Sequence, residues 1–312
     1  MNLCQPPDGA GGPSSDARLR ILLLGASGFV GGGLWEYLTD RHDMVGTYAT
    51  RPVPGLVQLD LRDEHRLRTL AADGFDLVVH AAGLVPLEAA EADPELAHRL
   101  NVRPVEVLLD AVRGSAAKVL FLSSDNVFDG TSAQYTEDCL RAPVNVYGRT
   151  KAAAEDLLLA AGGHLVVRIP LVFGRGPWAN TFLARFAGET TTARTDLVCA
   201  PVYLPSLGPA LAELWQHTGV VHYGGRQVVN RFELMSGVGR ALGLPSRVVA
   251  AHGEQPGARC RRPPRLVLRS TRHRLLGPGL DAALAHLARV THRGGGRSPA
   301  PGGPRRPPGP SD

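Results

Sequence analysis

A glycine triplet set directly behind an apolar strand limits what this chain can fold into more than any other feature. The run R-I-L-L-L-G (20–25) leads into G-A-S-G-F-V-G, which places Gly25, Gly28 and Gly31 in G-x-x-G-x-x-G spacing, and an amphipathic stretch, FVGGGLWEYLTD, follows. Glycines in such a turn let the backbone approach a pyrophosphate, which then rests on the N-terminus of the following helix. The spacing differs from the usual G-x-G-x-x-G, but the strand before it and the helix after it supply the context that a dinucleotide site requires.

The same alternation continues downstream. VGTY (45–48), LVQLDL (56–61), DLVVHAA (76–82), KVLFLSS (118–124) and HLVVRIP (164–170) read as buried parallel strands. Helical stretches fall between them: EHRLRTLAA, PELAHRLNVRPVEVLLDAV and YGRTKAAAEDLLLAA. Strands and helices in this order predict an α/β fold of Rossmann type, a doubly wound parallel sheet, over residues 19–174. After Gly174 the alternation weakens. PSLGPALAELWQH, VVHYGG and helical segments at 230–243 and 279–290 are assigned to a smaller C-terminal substrate-binding lobe, mainly 175–291. Residues 1–18 and 292–312 are rich in Pro, Gly and Ser or Arg and are expected to be disordered, since they hold too little apolar surface to offset ordering entropy.

Charge has to be read by position. The formal net charge is +5, yet seven arginines and no acids lie between Arg259 and Arg274, and residues 293–312 carry a further +3. Subtracting those seven and three leaves about −5 on the rest, so a generally basic protein is excluded and no nucleic-acid partner is expected, the basic tail being the one segment that could bind an anionic surface. Of 34 basic residues only Lys118 and Lys151 are lysines, which draws attention to both. The cysteines (Cys4, Cys139, Cys199, Cys260) are scattered, with no metal-ligand cluster, so no metal is expected and reduced thiols are. No signal-peptide core and no membrane-spanning run appears, and the expected location is cytoplasmic, away from any membrane.

The end of the second strand refines the cofactor. An NAD enzyme usually carries a carboxylate there for the ribose 2′-hydroxyl; this chain has Tyr48-Ala49-Thr50-Arg51. Arg51 suits a 2′-phosphate, so NADP(H) is preferred, with NAD(H) admitted; the alternative is an ordinary surface arginine. Asp60-Leu61 closes the third strand, where a carboxylate accepts from an adenine amino group. Ala81-Ala82-Gly83 ends the fourth and is small enough to admit a ribose.

A catalytic constellation follows. The fifth strand ends in Ser123-Ser124-Asp125, and Tyr147 opens Y-G-R-T-K with Lys151 four residues on. Positions i and i+4 share a helix face. An ammonium beside a phenol is expected to lower its pKa, and the phenol then donates a proton to a carbonyl receiving hydride, while a serine hydroxyl holds the same oxygen.

In order, GASGFVG, VVHAAG, SSDNVFDG, YGRTKAAAE and RIPLVFG resemble an extended short-chain dehydrogenase/reductase. The S-S-D-x-V-F-D-G segment makes it similar to the branch that includes dTDP-4-dehydrorhamnose reductase, over about residues 19–290. The resemblance implies reduction of a nucleotide-linked 4-keto-6-deoxy sugar with NADPH or NADH. It matches Ser124, Tyr147 and Lys151 to the catalytic hydroxyl, tyrosine and lysine, with Lys151 also holding the cofactor ribose. Asp125 and Asn126 match substrate-facing positions, and Gly25, Gly28, Phe29, Val30, Asp60, Leu61, Ala81 and Ala82 match cofactor-binding ones. Arg262 and Pro263, followed by Leu268, approximate the R-P-x-x-x-x-L segment that closes the substrate lobe. Arg262 is therefore a candidate for a diphosphate, against the alternative of a solvated basic loop.

Two departures stand out: Asn126 replaces a common tyrosine, and Leu171 stands where such reductases often carry an aromatic. RIPLVFG is also similar to the regulatory β subunit of methionine adenosyltransferase, which serves by binding a partner enzyme. A non-catalytic regulatory subunit, or an epimerase or dehydratase on the same fold, is thus the alternative function. The expected partner is a nucleotide-diphosphate sugar, and a homodimer is left open.

Overall fold

The computed structural model describes residues 18–179, 181–244, 247–254 and 257–293. The two terminal segments expected to lack order fall outside these residues, apart from Arg18 at one end and His292 and Arg293 at the other.

The first half alternates as the apolar runs require. β1 (Arg20–Leu24) leads to α1 (Phe29–Leu38), then β2 (Asp43–Tyr48), β3 (Val57–Gln58), α2 (Glu64–Ala71) and β4 (Leu77–His80). Three helices follow, α3 (Leu87–Ala92), α4 (Pro94–Asn101) and α5 (Arg103–Val112), before β5 (Lys118–Ser124), α6 (Val146–Ala161) and β6 (Leu165–Ile169). Beyond these lie β7 (Val172–Phe173), β8 (Thr190–Arg194), β9 (Val198–Cys199), β10 (Val202–Tyr203), α7 (Leu207–Leu214) and β11 (Gly219–His222). The chain closes with β12 (Val229–Asn230), α8 (Arg231–Leu242), β13 (Arg247–Ala251), β14 (Arg265–Leu266) and α9 (Leu280–Arg293).

Seven strands pair in the order β11-β6-β5-β4-β1-β2-β3, every pair parallel. This is the doubly wound Rossmann order extended by one strand. Burial on both faces follows from the period of two along a strand. In β1, Ile21 and Leu23 join one apolar cluster while Leu22 and Leu24 join the other. In β5, Leu120 and Leu122 side with the first pair, and Val119 and Phe121 with the second.

Three expectations are corrected. The 94–112 stretch is not one helix: it breaks at Val102, because Pro104 has no N–H to continue the ladder and sits instead in the first turn of α5. The third strand is regular only over Val57–Gln58. Most consequential, residues 205–225 do not belong to the smaller lobe. β11 extends the main sheet beside β6, and Leu207, Leu211, Leu214 and Val221 pack into the same cluster as β1 and β5.

The smaller lobe is built from β8 with β13, the short sheet β12-β9-β14, and α8 against α9. Phe182, Phe186, Leu234, Val238 and Leu287 form its separate core. Helix α8 starts with a capping box: Asn230 Oδ1 accepts from Glu233 N (2.8 Å) and Glu233 Oε2 accepts from Asn230 N (2.9 Å). Among the described residues, no helix is long and apolar enough to cross a membrane.

Candidate active site

The glycine turn is held from below by β2. Gly25 N donates to Thr47 Oγ1 (3.0 Å) and Ser27 N to Thr47 O (3.3 Å), while Gly28 N closes on Gly25 O (2.9 Å). A Cβ at Gly31 would lie 2.1 Å from Gly25 O, so only glycine lets α1 start this close to β1. No side chain caps α1 and no acid occupies its first turn, which leaves the backbone N–H groups of Phe29, Val30 and Gly31 free to receive a phosphate. Ala82 packs against Gly25, close enough that a Cβ there would meet it at 2.9 Å, so Ala81, Ala82 and Gly83 floor the same cleft. These are features of a dinucleotide cradle.

Further along the sheet edge, Arg51 is exposed beyond β2. Asp60 is already engaged: Arg62 Nη2 donates to its Oδ2 (2.6 Å), and both the side chain and the backbone of Arg62 hold its carboxyl below the usual range. Leu61 is buried beside it.

Ser124, Tyr147 and Lys151 meet where the strands end, as ligands do in open α/β sheets. The Ser124 hydroxyl donates to Asp125 Oδ1 (3.1 Å) and accepts from Asn126 N (3.2 Å), close enough to the Tyr147 phenol to influence its ionisation. Tyr147 lies in the first turn of α6, whose cap is Asn145: its Oδ1 accepts from Gly148 N (2.8 Å), and its Nδ2 donates to Asn126 Oδ1 (3.2 Å) and Arg261 O (3.1 Å). A Cβ at Gly148 would fall 2.1 Å from Asn126 O, so the glycine of Y-G-R-T-K allows α6 to lie against the Asp125–Val127 turn.

Lys151 is buried, its Nζ donating to Leu122 O (2.8 Å), 4.2 Å from the Phe121 ring centroid and 5.9 Å from that of Tyr147. Burial pushes the ammonium down to about 8 against the field of Glu155. The expected depression of the Tyr147 pKa does not occur. Burial, with the Asp125 carboxyl adding to it, raises the phenol above its ordinary value, because the ammonium is held at a carbonyl and a ring face instead of at the phenol oxygen.

A pocket opens beside this triad between the two lobes. Asp125, Asn126, Cys199, Arg231, Arg262 and Leu266 are among the residues that line it. The structure therefore brings the three expected substrate residues, Asp125, Asn126 and Arg262, together. Asp125 is almost fully buried, and burial raises its carboxyl to about 6 even though Arg231 pulls the other way. Arg262 also pairs with Glu88 (3.3 Å). Three other arginines of this arginine-rich strap are structural. Arg265, Arg269 and Arg272 donate to the carbonyls of Ala133, Gly225 and Val220, tying the strap to the main body.

Sequence reading missed three residues here. Arg231 begins α8, one residue inside its cap Asn230, and lines the pocket. Arg185, on the turn Leu183–Phe186, is exposed as a residue, but desolvation of its guanidinium and then the like charges of Arg231 and Arg262 push it down, so the three lie within electrostatic reach of one another. Asn101, 1 % exposed, accepts from Leu84 N (2.7 Å) and donates to Thr150 Oγ1 (3.0 Å), locking the loop after β4 to the catalytic helix. A lone asparagine inside the apolar pattern of α4 was its only signal.

A parallel sheet in Rossmann order, a glycine cradle at β1–α1 and a Ser/Tyr/Lys cluster at the strand ends define the class as extended short-chain dehydrogenase/reductase-like. Within that class, the chain belongs to the RmlD substrate binding domain family, which matches residues 19–282. It is 31% identical over 265 residues to dTDP-4-dehydrorhamnose reductase of Mycolicibacterium smegmatis, covering 81% of this chain and 79% of that one. It is 28% identical over 261 residues to methionine adenosyltransferase 2 subunit beta of Xenopus laevis, covering 78% of each. Its fold is shared with dTDP-4-dehydrorhamnose reductase of Bacillus anthracis in complex with NADP (TM-score 0.77, 20% identity, covering 88% of this chain and all of that one).

Proposed function

We propose that the protein is an NADP(H)-dependent reductase of a nucleotide-linked 4-keto-6-deoxy sugar. The observation that carries this reading is the position of Tyr147 and Ser124, beside a glycine cradle fit for a dinucleotide and a pocket lined by the guanidiniums of Arg231 and Arg262, fit for a diphosphate. NADPH, when bound, supplies hydride to the ketone carbon. Tyr147, whose raised pKa keeps it protonated at neutral pH, donates its proton to the carbonyl oxygen. Ser124 holds that oxygen, and Lys151, charged below about pH 8, holds the cofactor ribose. Phe29, Val30 and the three glycines bind the pyrophosphate, and Arg51 pairs with the 2′-phosphate. Arg231, Arg262 and Arg185 take the substrate diphosphate, while Asp125 and Asn126 face its sugar.

NADPH oxidation against a panel of dTDP-, GDP- and UDP-linked 4-keto sugars tests this directly. Turnover on at least one is expected, and none on any would end the reading. The likeness to the methionine adenosyltransferase β subunit, together with Asn126 and Leu171 in place of aromatics, favours a second reading as a regulatory subunit. That reading predicts cofactor binding without turnover and co-purification with a methionine adenosyltransferase.

A further inference from the structure

Tyr147, Lys151 and Glu155 are spaced by four on α6 and share one face of the helix. The first two are assigned to the reaction; the third is fully buried one turn deeper. Its carboxylate accepts from Arg168 at both oxygens (Nε to Oε1 3.0 Å, Nη2 to Oε2 2.6 Å), from Arg141 Nη1 (3.2 Å) and from the Ser123 hydroxyl. Arg168 in turn meets His222 Nε2 (3.2 Å). Such a buried ion pair is a poor way to gain stability, since apolar residues of the same volume often serve as well. Its location suggests what else it does.

Lys151 has lost its water and gained one hydrogen bond, to Leu122 O. Several ionisable groups surround it: His80 on β4, Asp125 after β5, Tyr147 and Glu155 on its own helix, and Arg168 behind Glu155 on β6. His80 is fully buried, with neither ring nitrogen hydrogen-bonded, and burial first, then the Lys151 charge, pushes it down to about 3, so it is neutral and offers no counter-charge. Asp125 is turned to Ser124, Asn126 and Arg231. Glu155 is left as the anion whose field favours the charged lysine.

The geometry points to Glu155 as a positioning residue that keeps Lys151 cationic, with Arg168 and Ser123 fixing the carboxylate one helical turn behind the ammonium. Its value to catalysis rests on the reductase reading, but the electrostatic effect does not, and it can be measured without substrate. The chain holds only two lysines, so protein labelled with 13C at the lysine ε-carbon gives two signals, separated by a Lys118→Arg variant. Lys118, whose Nζ donates to Trp215 O (2.6 Å) at the end of α7, is a remote internal reference.

In Glu155→Gln the Lys151 midpoint is expected to fall by about one pH unit or more, a tenfold loss of proton affinity. Glu155→Asp should restore part of it, and Lys118 should not move. An unchanged Lys151 midpoint in folded Glu155→Gln would overturn the proposal. If stranding Arg168 prevents that variant from folding, the midpoint is read in Glu155→Asp, where the shorter side chain draws the carboxylate back and a smaller fall below the unmodified protein is expected; no fall there overturns the proposal equally. If the midpoint falls as expected while no keto sugar is reduced by the unmodified protein, the reductase reading fails and the role of Glu155 stands.

Discussion

The two halves of the candidate site are assembled in different ways. The dinucleotide cradle is local: seven consecutive residues, Gly25 to Gly31, make the turn, and one neighbouring strand braces it through Thr47. The pocket opposite is long-range, drawing Asp125 from the first half of the chain, Arg231 from the start of α8, and Arg262 from the strap. Local geometry is specified by residue type and spacing, so little else can change it. A pocket built at a seam between lobes can alter its specificity by moving single side chains. This matches a family in which one fold is shared by reductases and by the β subunits of methionine adenosyltransferase.

The sharpest way to break the comparison is at the residue where both halves meet. Tyr147→Phe removes the proposed proton donor and leaves the cradle and the guanidiniums intact. Turnover on the productive keto sugar should fall by about 10³-fold, within the range for lost acid catalysis, while NADPH affinity by fluorescence titration stays within about twofold. Retained turnover would place proton donation elsewhere, Asp125 being the first candidate. On the cradle side, Gly31→Ala puts a methyl group 2.1 Å from Gly25 O. The backbone must give way, so we expect a loss of about 1–3 kcal/mol in denaturant unfolding and loss of cofactor binding together.

This contrast also explains what could be read in advance. The cradle, the seven-residue fifth strand and the Tyr147–Lys151 pair were legible because each is a short-range pattern with one physical meaning. Residues 205–225 were assigned to the wrong lobe because an amphipathic helix and an apolar strand look alike in either; only the pairing of Val220 with Val166 decides the matter, and that contact spans 54 positions. The sign of the Tyr147 shift was misread for a related reason. The i, i+4 spacing does bring lysine and tyrosine to one face, but it says nothing of the Leu122 carbonyl that captures the ammonium. Asn101 and Arg231 could not be singled out, since a single polar residue acquires its role from partners far along the chain, 17 and 49 positions away for Asn101.

On the pocket side, Arg231→Met should raise KM for the nucleotide sugar by roughly 10–100-fold, the worth of a charge-assisted contact, and leave NADPH affinity unchanged. A change in NADPH affinity instead would show that the halves are coupled. Asp125→Asn tests the cost of the same pocket to the fold. Burial raises Asp125 from its ordinary value to about 6, so the folded state holds the proton more tightly than the unfolded chain. The native protein therefore loses stability as pH rises through about 4 to 6, and the asparagine variant does not. At pH 7 the variant should be more stable by on the order of 1 kcal/mol in urea, with the difference gone below about pH 4 and affinity for the sugar weakened. Equal stability at both pH values would mean that Arg231 fully compensates the carboxylate.

The smallest effect is expected at the outer edge of the cradle. Arg51 is exposed beyond β2 and is the basic residue nearest in sequence to where a ribose 2′-substituent would lie, while the third-strand carboxylate, Asp60, is turned to Arg62. A solvated guanidinium gains only modestly from a phosphate, because water and salt screen it. Arg51→Ala should therefore weaken NADPH by roughly three- to tenfold at low salt, measured by fluorescence titration, and leave NADH unchanged, with the difference shrinking as salt is added. If both cofactors weaken equally, Arg51 supports the loop instead of reading the 2′-phosphate. If neither does, Arg62 becomes the group to test. Its bidentate hold on Asp60 keeps one guanidinium fixed just beyond the third strand.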